Sequence, residues 1–164
     1  CHSENWVENF YVQYDALIHL YNEKYAKPGL KLMKAAKPLL KPSKFSNKID
    51  WTWFELWPHE GRRARHAAAM MGPDYTHWHG TYDLAKHWYS KFVPQLEELI
   101  AKGKEAGGEK AKAAENLQKE LTAMLNSDDH KWYLNKLSDA QKAMRKQAVE
   151  RFKDQMEGKV GTSK

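Results

Sequence analysis

The chain contains no long apolar run. None of its 164 residues falls in a stretch of about 18 apolar residues, and mean hydropathy is −0.85, so nothing in it reads as a membrane-spanning helix. A basic start followed by an apolar segment is missing too, so no secretory leader is legible. The period-two alternation of strands appears nowhere, which leaves an all-α fold. There is no Gly-rich phosphate loop, no internal repeat and no Ser-His-Asp arrangement. Cysteine occurs once, at position 1, directly before His2. A zinc site fits poorly: it needs about four converging ligands, and His77 and His79, two apart, diverge on a helix. The net charge is +6 with a pI near 9.2, yet the positives are spread along amphipathic helices among Asp and Glu. That pattern argues against a nucleic-acid surface. It suits a cofactor that carries carboxylates, or an acidic redox partner.

What the chain has in excess is aromatic and imidazole groups in one region. Residues 70–82 hold two histidines, two tyrosines, a tryptophan and a Gly-Pro turn, and with His59, His66 and His87 five of the eight histidines fall between 59 and 87. Such a cluster points to a metal or a large planar cofactor. His59, Arg62, Arg63 and His66 lie at i, i+3, i+4 and i+7, which places them on one helix face. Alanines beside that face would admit a flat ring, and paired arginines suit carboxylates such as haem propionates through bidentate hydrogen bonds. The plainer reading is an exposed basic face with a Glu60–Arg63 pair. Haem iron needs only one distal histidine per ring, which suits His79 and His59 as ligands to separate haems. His19, His87 and His130 read as ordinary core or surface histidines. Cys1-His2 has the form of the end of a Cys-x-x-Cys-His attachment motif, with Cys1 in a thioether to haem and His2 the proximal iron ligand. An arbitrary boundary would give the same two residues.

Helical spacing organises the rest. Ser3 caps a helix whose stripe is Trp6, Phe10, Tyr14, Leu17, Tyr21 and Tyr25. Such a stripe is usually core, although a haem edge or a partner helix would need the same residues. Pro28-Gly29 is expected to kink or break this helix, and a short piece over 30–36 ends near Pro38 and Pro42. Residues 41–48 read as a loop, with Asp50 capping the next helix. Trp51, Trp53 and Trp57 make that helix unusually aromatic, and Pro58 should bend it without ending it. Gly72-Pro73 ends it, and Asp74 is expected to cap a helix over about 75–102, bent near Pro94. On this helix Tyr75, His79, Tyr82 and Lys86 share one face, and Trp78, Leu84, Trp88, Phe92, Leu96 and Leu99 make the apolar side. A Gly-rich turn over 102–110 follows, then a helix over 113–125, a loop over 126–129, and a last helix carrying Trp132, Tyr133, Leu137, Met144, Val149 and Phe152.

Three runs carry a family resemblance. They are Trp51-Thr52-Trp53-Phe54-Glu55-Leu56-Trp57, His59-Glu60-Gly61-Arg62-Arg63-Ala64-Arg65 and Gly72-Pro73-Asp74-Tyr75-Thr76-His77-Trp78-His79-Gly80. Together they resemble the C-terminal region of the octahaem hydroxylamine oxidoreductase family, which includes the hydrazine-oxidising enzymes of anaerobic ammonium oxidisers. The resemblance extends over the whole chain, including Tyr21-Asn22-Glu23-Lys24-Tyr25-Ala26-Lys27-Pro28-Gly29. It implies the long antiparallel helices of a multihaem cytochrome c. Residues 1–2 would end the last attachment motif, 3–101 form a haem-packing region, 102–157 a C-terminal helical hairpin and 158–164 a disordered tail. It further implies a homotrimer with eight haems c per subunit, all but one of them bis-histidine electron carriers. The catalytic haem would bind the nitrogen substrate, hydroxylamine or hydrazine, and be crosslinked to a tyrosine of the neighbouring subunit, which Tyr75 matches. His79 would be a distal iron ligand, with His59 a weaker match, and Arg62 and Arg63 would hold propionates. A redox protein would accept the electrons. The expected compartment is the periplasm or its equivalent, the anammoxosome in an anaerobic ammonium oxidiser. A nitrite or hydroxylamine reductase without the crosslink, a catalytically silent electron-transfer subunit, and a haem-free helical interaction domain are the other readings.

Overall fold

The computed structural model describes residues 2–157. The thioether expected at Cys1 and the tail expected over 158–164 lie outside the described residues. Among those described, the regular elements are helices and no strand occurs, as the missing alternation predicts. Helix α1 runs over 4–36, α2 over 48–69 and α3 over 73–106; α4 is Gly108–Leu125 and α5 is Asp139–Met156. The chain divides into two compact units, one ending at Met124 and one beginning at Leu125. No helix is long and apolar enough to cross a membrane among the described residues.

In the first unit the helices stay continuous by widening. Asn22–Ala26 in α1, Glu55–Glu60 in α2, and Thr76–Tyr82 and Trp88–Phe92 in α3 are π-helical turns, in which N–H groups reach carbonyls five residues back. Proline in an α-helix lacks an N–H and drives its ring against the carbonyl four residues earlier. Pro28 and Pro94 each lie two residues past the end of a widened turn, and Pro58 sits inside one. The break expected at Pro28-Gly29 is therefore absent: Lys27 N–H bonds to the Asn22 carbonyl, and the helix passes through to Ala36. Thr76–Tyr82 contains no proline, and there the Thr81 hydroxyl donates to the Thr76 and His77 carbonyls at 3.3 and 3.1 Å.

The ends are set by local chemistry. The Ser3 hydroxyl accepts from Trp6 N–H at 3.3 Å, as expected of an N-cap. Asn47, not Asp50, caps α2; the Asp50 carboxylate reaches back to accept from Asn47 N and Nδ2 at 3.2 and 2.9 Å. Between α2 and α3 the left-handed residue is Met71 (φ 53°) rather than Gly72, and Gly72 caps α3 with Pro73 and Asp74 in its first turn. The turn expected over 102–110 contracts to Gly107-Gly108, both at positive φ, where only glycine is free of a Cβ penalty.

Trp88, Phe92, Val93 and Leu96 of α3 are fully buried, joined by Leu32 and Ala36 of α1, Leu56 and Ala64 of α2, and Leu117 of α4. Burying each large apolar side chain stabilises the fold by ~1.5–3 kcal/mol. Tyr21 is buried as well. Its hydroxyl donates to the Trp57 carbonyl at 3.1 Å, a group in the widened turn of α2, and burial pushes its pKa up to about 12 although the Arg65 guanidinium lies 5.2 Å from the ring. The segment Gly61–Ala69 folds back on Thr76–Tyr82 at close range: a Cβ on Gly80 would meet the Ala64 Cα at 2.7 Å.

In the second unit Trp132 and Tyr133 do not belong to the last helix. They lie in a 3₁₀ turn, Lys131–Leu134, closed by Asn135 at φ 57°. Helix α5 starts directly after Ser138, whose hydroxyl accepts from Gln141 N at 3.3 Å while the Gln141 Oε1 accepts from Ser138 N at 3.0 Å. Its apolar residues Met144, Val149 and Phe152 are exposed.

Candidate functional site

The second half of α2 turns Ala64 and Ala67 inward and leaves Arg62 and His66 at the surface. The left-handed turn at Met71 then brings the start of α3 back alongside. Arg62, Arg63, His66, Met70, Gly72 and Tyr75 thereby line one groove of about 490 Å³. The Arg63 Nε–H is buried and has no acceptor among the described residues, while its Nη2 lies 3.5 Å from His59 Nδ1. An orphaned guanidinium donor costs free energy until an acceptor arrives. Two arginines, one of them under-satisfied, supply a donor set that could hold a carboxylate. Haem propionates fit that donor set.

Tyr75 is 49% exposed, and its ring leans on His79 at 4.8 Å between centroids. His79 Nδ1 is 3.9 Å from Asp83 Oδ2, too long for a hydrogen bond. Trp78 and Tyr82 are exposed beside them, edge to face at 5.5 Å. Trp78 thus departs from the expected apolar side of α3: it lies in the widened turn Thr76–Tyr82, where the ordinary helical phase is lost. A second exposed group, Phe45, Trp51 and Phe54, clusters with centroids 4.6 and 5.7 Å apart. Contiguous exposed aromatic surface marks a ligand or interaction face.

The groove therefore unites Arg62, Arg63 and Tyr75, with His66 added. His79 adjoins it through the Tyr75 ring. His59 touches Arg63 but does not line the groove, so the four-residue face expected for His59, Arg62, Arg63 and His66 is incomplete. His59 lies inside the widened turn Glu55–Glu60, where the ordinary helical phase is lost. His2 is elsewhere, stacked on Trp6 at 3.9 Å. No group of three or more His, Cys, Asp or Glu side chains converges among the described residues.

One pairing carries no sequence signal. Glu60 is buried in α2, and its Oε1 is hydrogen-bonded to His87 Nδ1 of α3; Oε2 is buried without a partner. The Glu60–Arg63 pair expected on an exposed face is thus replaced by a Glu60–His87 pair inside. Burial raises the Glu60 pKa, the His87 hydrogen bond opposes that rise, and Glu55 and Asp83 add to it. Comparison with protein-family models, characterised proteins and solved structures gave no match for this chain.

Proposed function

We propose that this chain is the C-terminal part of a multihaem c-type oxidoreductase that oxidises hydroxylamine or hydrazine. The observation that supports the reading is the groove that sets Tyr75, half exposed, beside Arg62 and Arg63. In this reading the arginines bind propionates, and Tyr75 projects from a rigid helix start to form the covalent link to the catalytic haem of a neighbouring subunit in a homotrimer. Haem supplies the redox chemistry when bound. The chain's own part is to orient the ring, exclude water with the exposed tryptophans and tyrosines, and hold a distal imidazole at His79, with His59 a second candidate. Cys1 and His2 would anchor one haem. Electrons would leave along the haem chain to a redox protein in an extracytoplasmic compartment.

Mass spectrometry of the tryptic peptide 66–86 from native, haem-loaded protein tests this. A haem-bearing partner peptide attached at Tyr75 is the expected result. An unmodified Tyr75 would overturn the oxidase reading in favour of a reductase or a pure electron carrier. A colourless native protein would leave the haem-free interaction domain.

A further inference from the structure

Charge is not mixed evenly along the whole chain. Residues 24–48 hold eight lysines and no Asp, Glu or Arg. Two of the exposed ones are neutralised from outside the stretch, Lys27 by Glu23 and Lys31 by Glu120 of α4, the second at 2.6 Å. Lys34, Lys37, Lys41 and Lys44 are exposed and make no ion pair among the described residues. They run from the end of α1 through the turn that leads into α2. The same turn carries the exposed rings of Phe45, Trp51 and Phe54, packed at 4.6 and 5.7 Å from the Phe45 centroid. Phe45 sits at φ 57°, a left-handed conformation that a bulky residue rarely adopts. Such strain persists only where the surroundings impose it. Here Trp51 Nε1 donates to the Phe45 carbonyl at 3.0 Å, and the Asn47 amide clamps Lys41 by its N–H and carbonyl at 2.9 and 3.1 Å. The turn is therefore tied down in a form that leaves the Phe45 ring outside the core.

We infer that this face adsorbs to an anionic lipid bilayer, with the three rings seated at headgroup level and the unpaired lysines over the anionic headgroups. Aromatic rings settle at the boundary between water and hydrocarbon, and lysines near an anionic leaflet add attraction one by one. The use of lysine without arginine favours lipid over a protein partner. An ammonium is a point charge that demands no fixed acceptor geometry, whereas protein interfaces are enriched in arginine and depleted of lysine. The attachment is peripheral, since no helix among the described residues is long and apolar enough to cross a membrane. The inference goes beyond the proposed function and does not depend on haem.

Co-sedimentation of the full-length protein with vesicles tests it. One set is phosphatidylcholine alone, and the other an equal mixture of phosphatidylcholine and phosphatidylglycerol. Binding to the mixed vesicles only, weakening as salt is raised, is the expected result. Lys41→Gln with Lys44→Gln should weaken it by roughly 30-fold. The same charge change in α5, Lys142→Gln with Lys146→Gln, should leave it unaltered. Phe45→Asn removes the ring while keeping a residue that tolerates the left-handed conformation, and should weaken binding roughly tenfold. Circular dichroism confirms that each variant is folded. Equal losses from the two lysine pairs would overturn the inference, because net charge and not this face would then drive adsorption. Full binding by Phe45→Asn would overturn the seating of the rings. Failure of the native protein to bind the mixed vesicles would overturn the inference outright and leave the face to an acidic protein.

Discussion

Removing His87 should destabilise the protein in a pH-dependent way. Glu60 is 1% exposed; one carboxylate oxygen is held by His87 Nδ1, and the other has no partner. Deleting one member of a buried ionic pair costs ~3–5 kcal/mol when the remaining charge stays ionised. Here the carboxyl can escape that cost by taking up a proton. Burial already places its pKa above the ordinary carboxylate range, with the His87 hydrogen bond as the largest opposing influence. A raised folded pKa means that the group's contribution to stability is fully present below the unfolded value of about 4.3 and is lost as pH climbs through the folded value. His87→Ala moves the folded value higher still. The deficit against the native sequence should therefore be small near pH ~4 and open to ~3–5 kcal/mol by neutral pH. Urea unfolding followed by far-ultraviolet circular dichroism at several pH values measures it. Adding Glu60→Gln to the variant removes the buried charge and should flatten the pH dependence. An equal deficit at acid and neutral pH, or no relief from Glu60→Gln, would refute the buried-charge argument and leave only lost packing.

Two further changes probe the same helices. Gly80→Ala should destabilise by ~1–3 kcal/mol, because the new Cβ would lie 2.7 Å from the Ala64 Cα and neither backbone can yield freely. Exposed helical glycines instead gain up to ~1 kcal/mol on the same change, so a raised Tm would disprove the close crossing. Tyr21→Phe should cost ~1–3 kcal/mol by stripping the donor from the Trp57 carbonyl. An unchanged thermal midpoint would mean that this carbonyl is satisfied some other way.

Where the fold was legible, the signal was periodic or local. The spacing of Leu84, Trp88, Phe92 and Leu96 marks the inner side of α3, and all four are buried. Ser3 is a cap in sequence and in structure. Proline was the misleading signal. Pro28 reads as a break because the ordinary rule assumes α-helical geometry, and a five-residue bonding pattern upstream removes the clash on which the rule depends. The cap of α2 was misplaced by three residues because Asn47 and Asp50 are both good cap residues, and only the tertiary path of residues 41–47, where Asn47 Oδ1 accepts from Lys41 N at 2.9 Å, selects between them.

The candidate site shows the same physics at higher stakes. Arg62, Arg63 and Tyr75 are close enough in sequence for one turn to unite them, and that turn is marked by Gly72-Pro73. The histidine faces are less legible, because a count of 3.6 residues per turn holds only in an unbroken α-helix. Each widened turn takes up one extra residue, so every position beyond it is rotated relative to that count. Glu55–Glu60 stands immediately before the arginines; the rotation carries Glu60 inward to His87 and removes His59 from the face it was expected to share. Thr76–Tyr82 does likewise for the residues within it: the His77 ring meets the edge of Trp78, and the His79 ring leans on Tyr75. Two histidines that diverge in this way do not converge on one centre. The widened turns therefore fix which neighbours each imidazole meets.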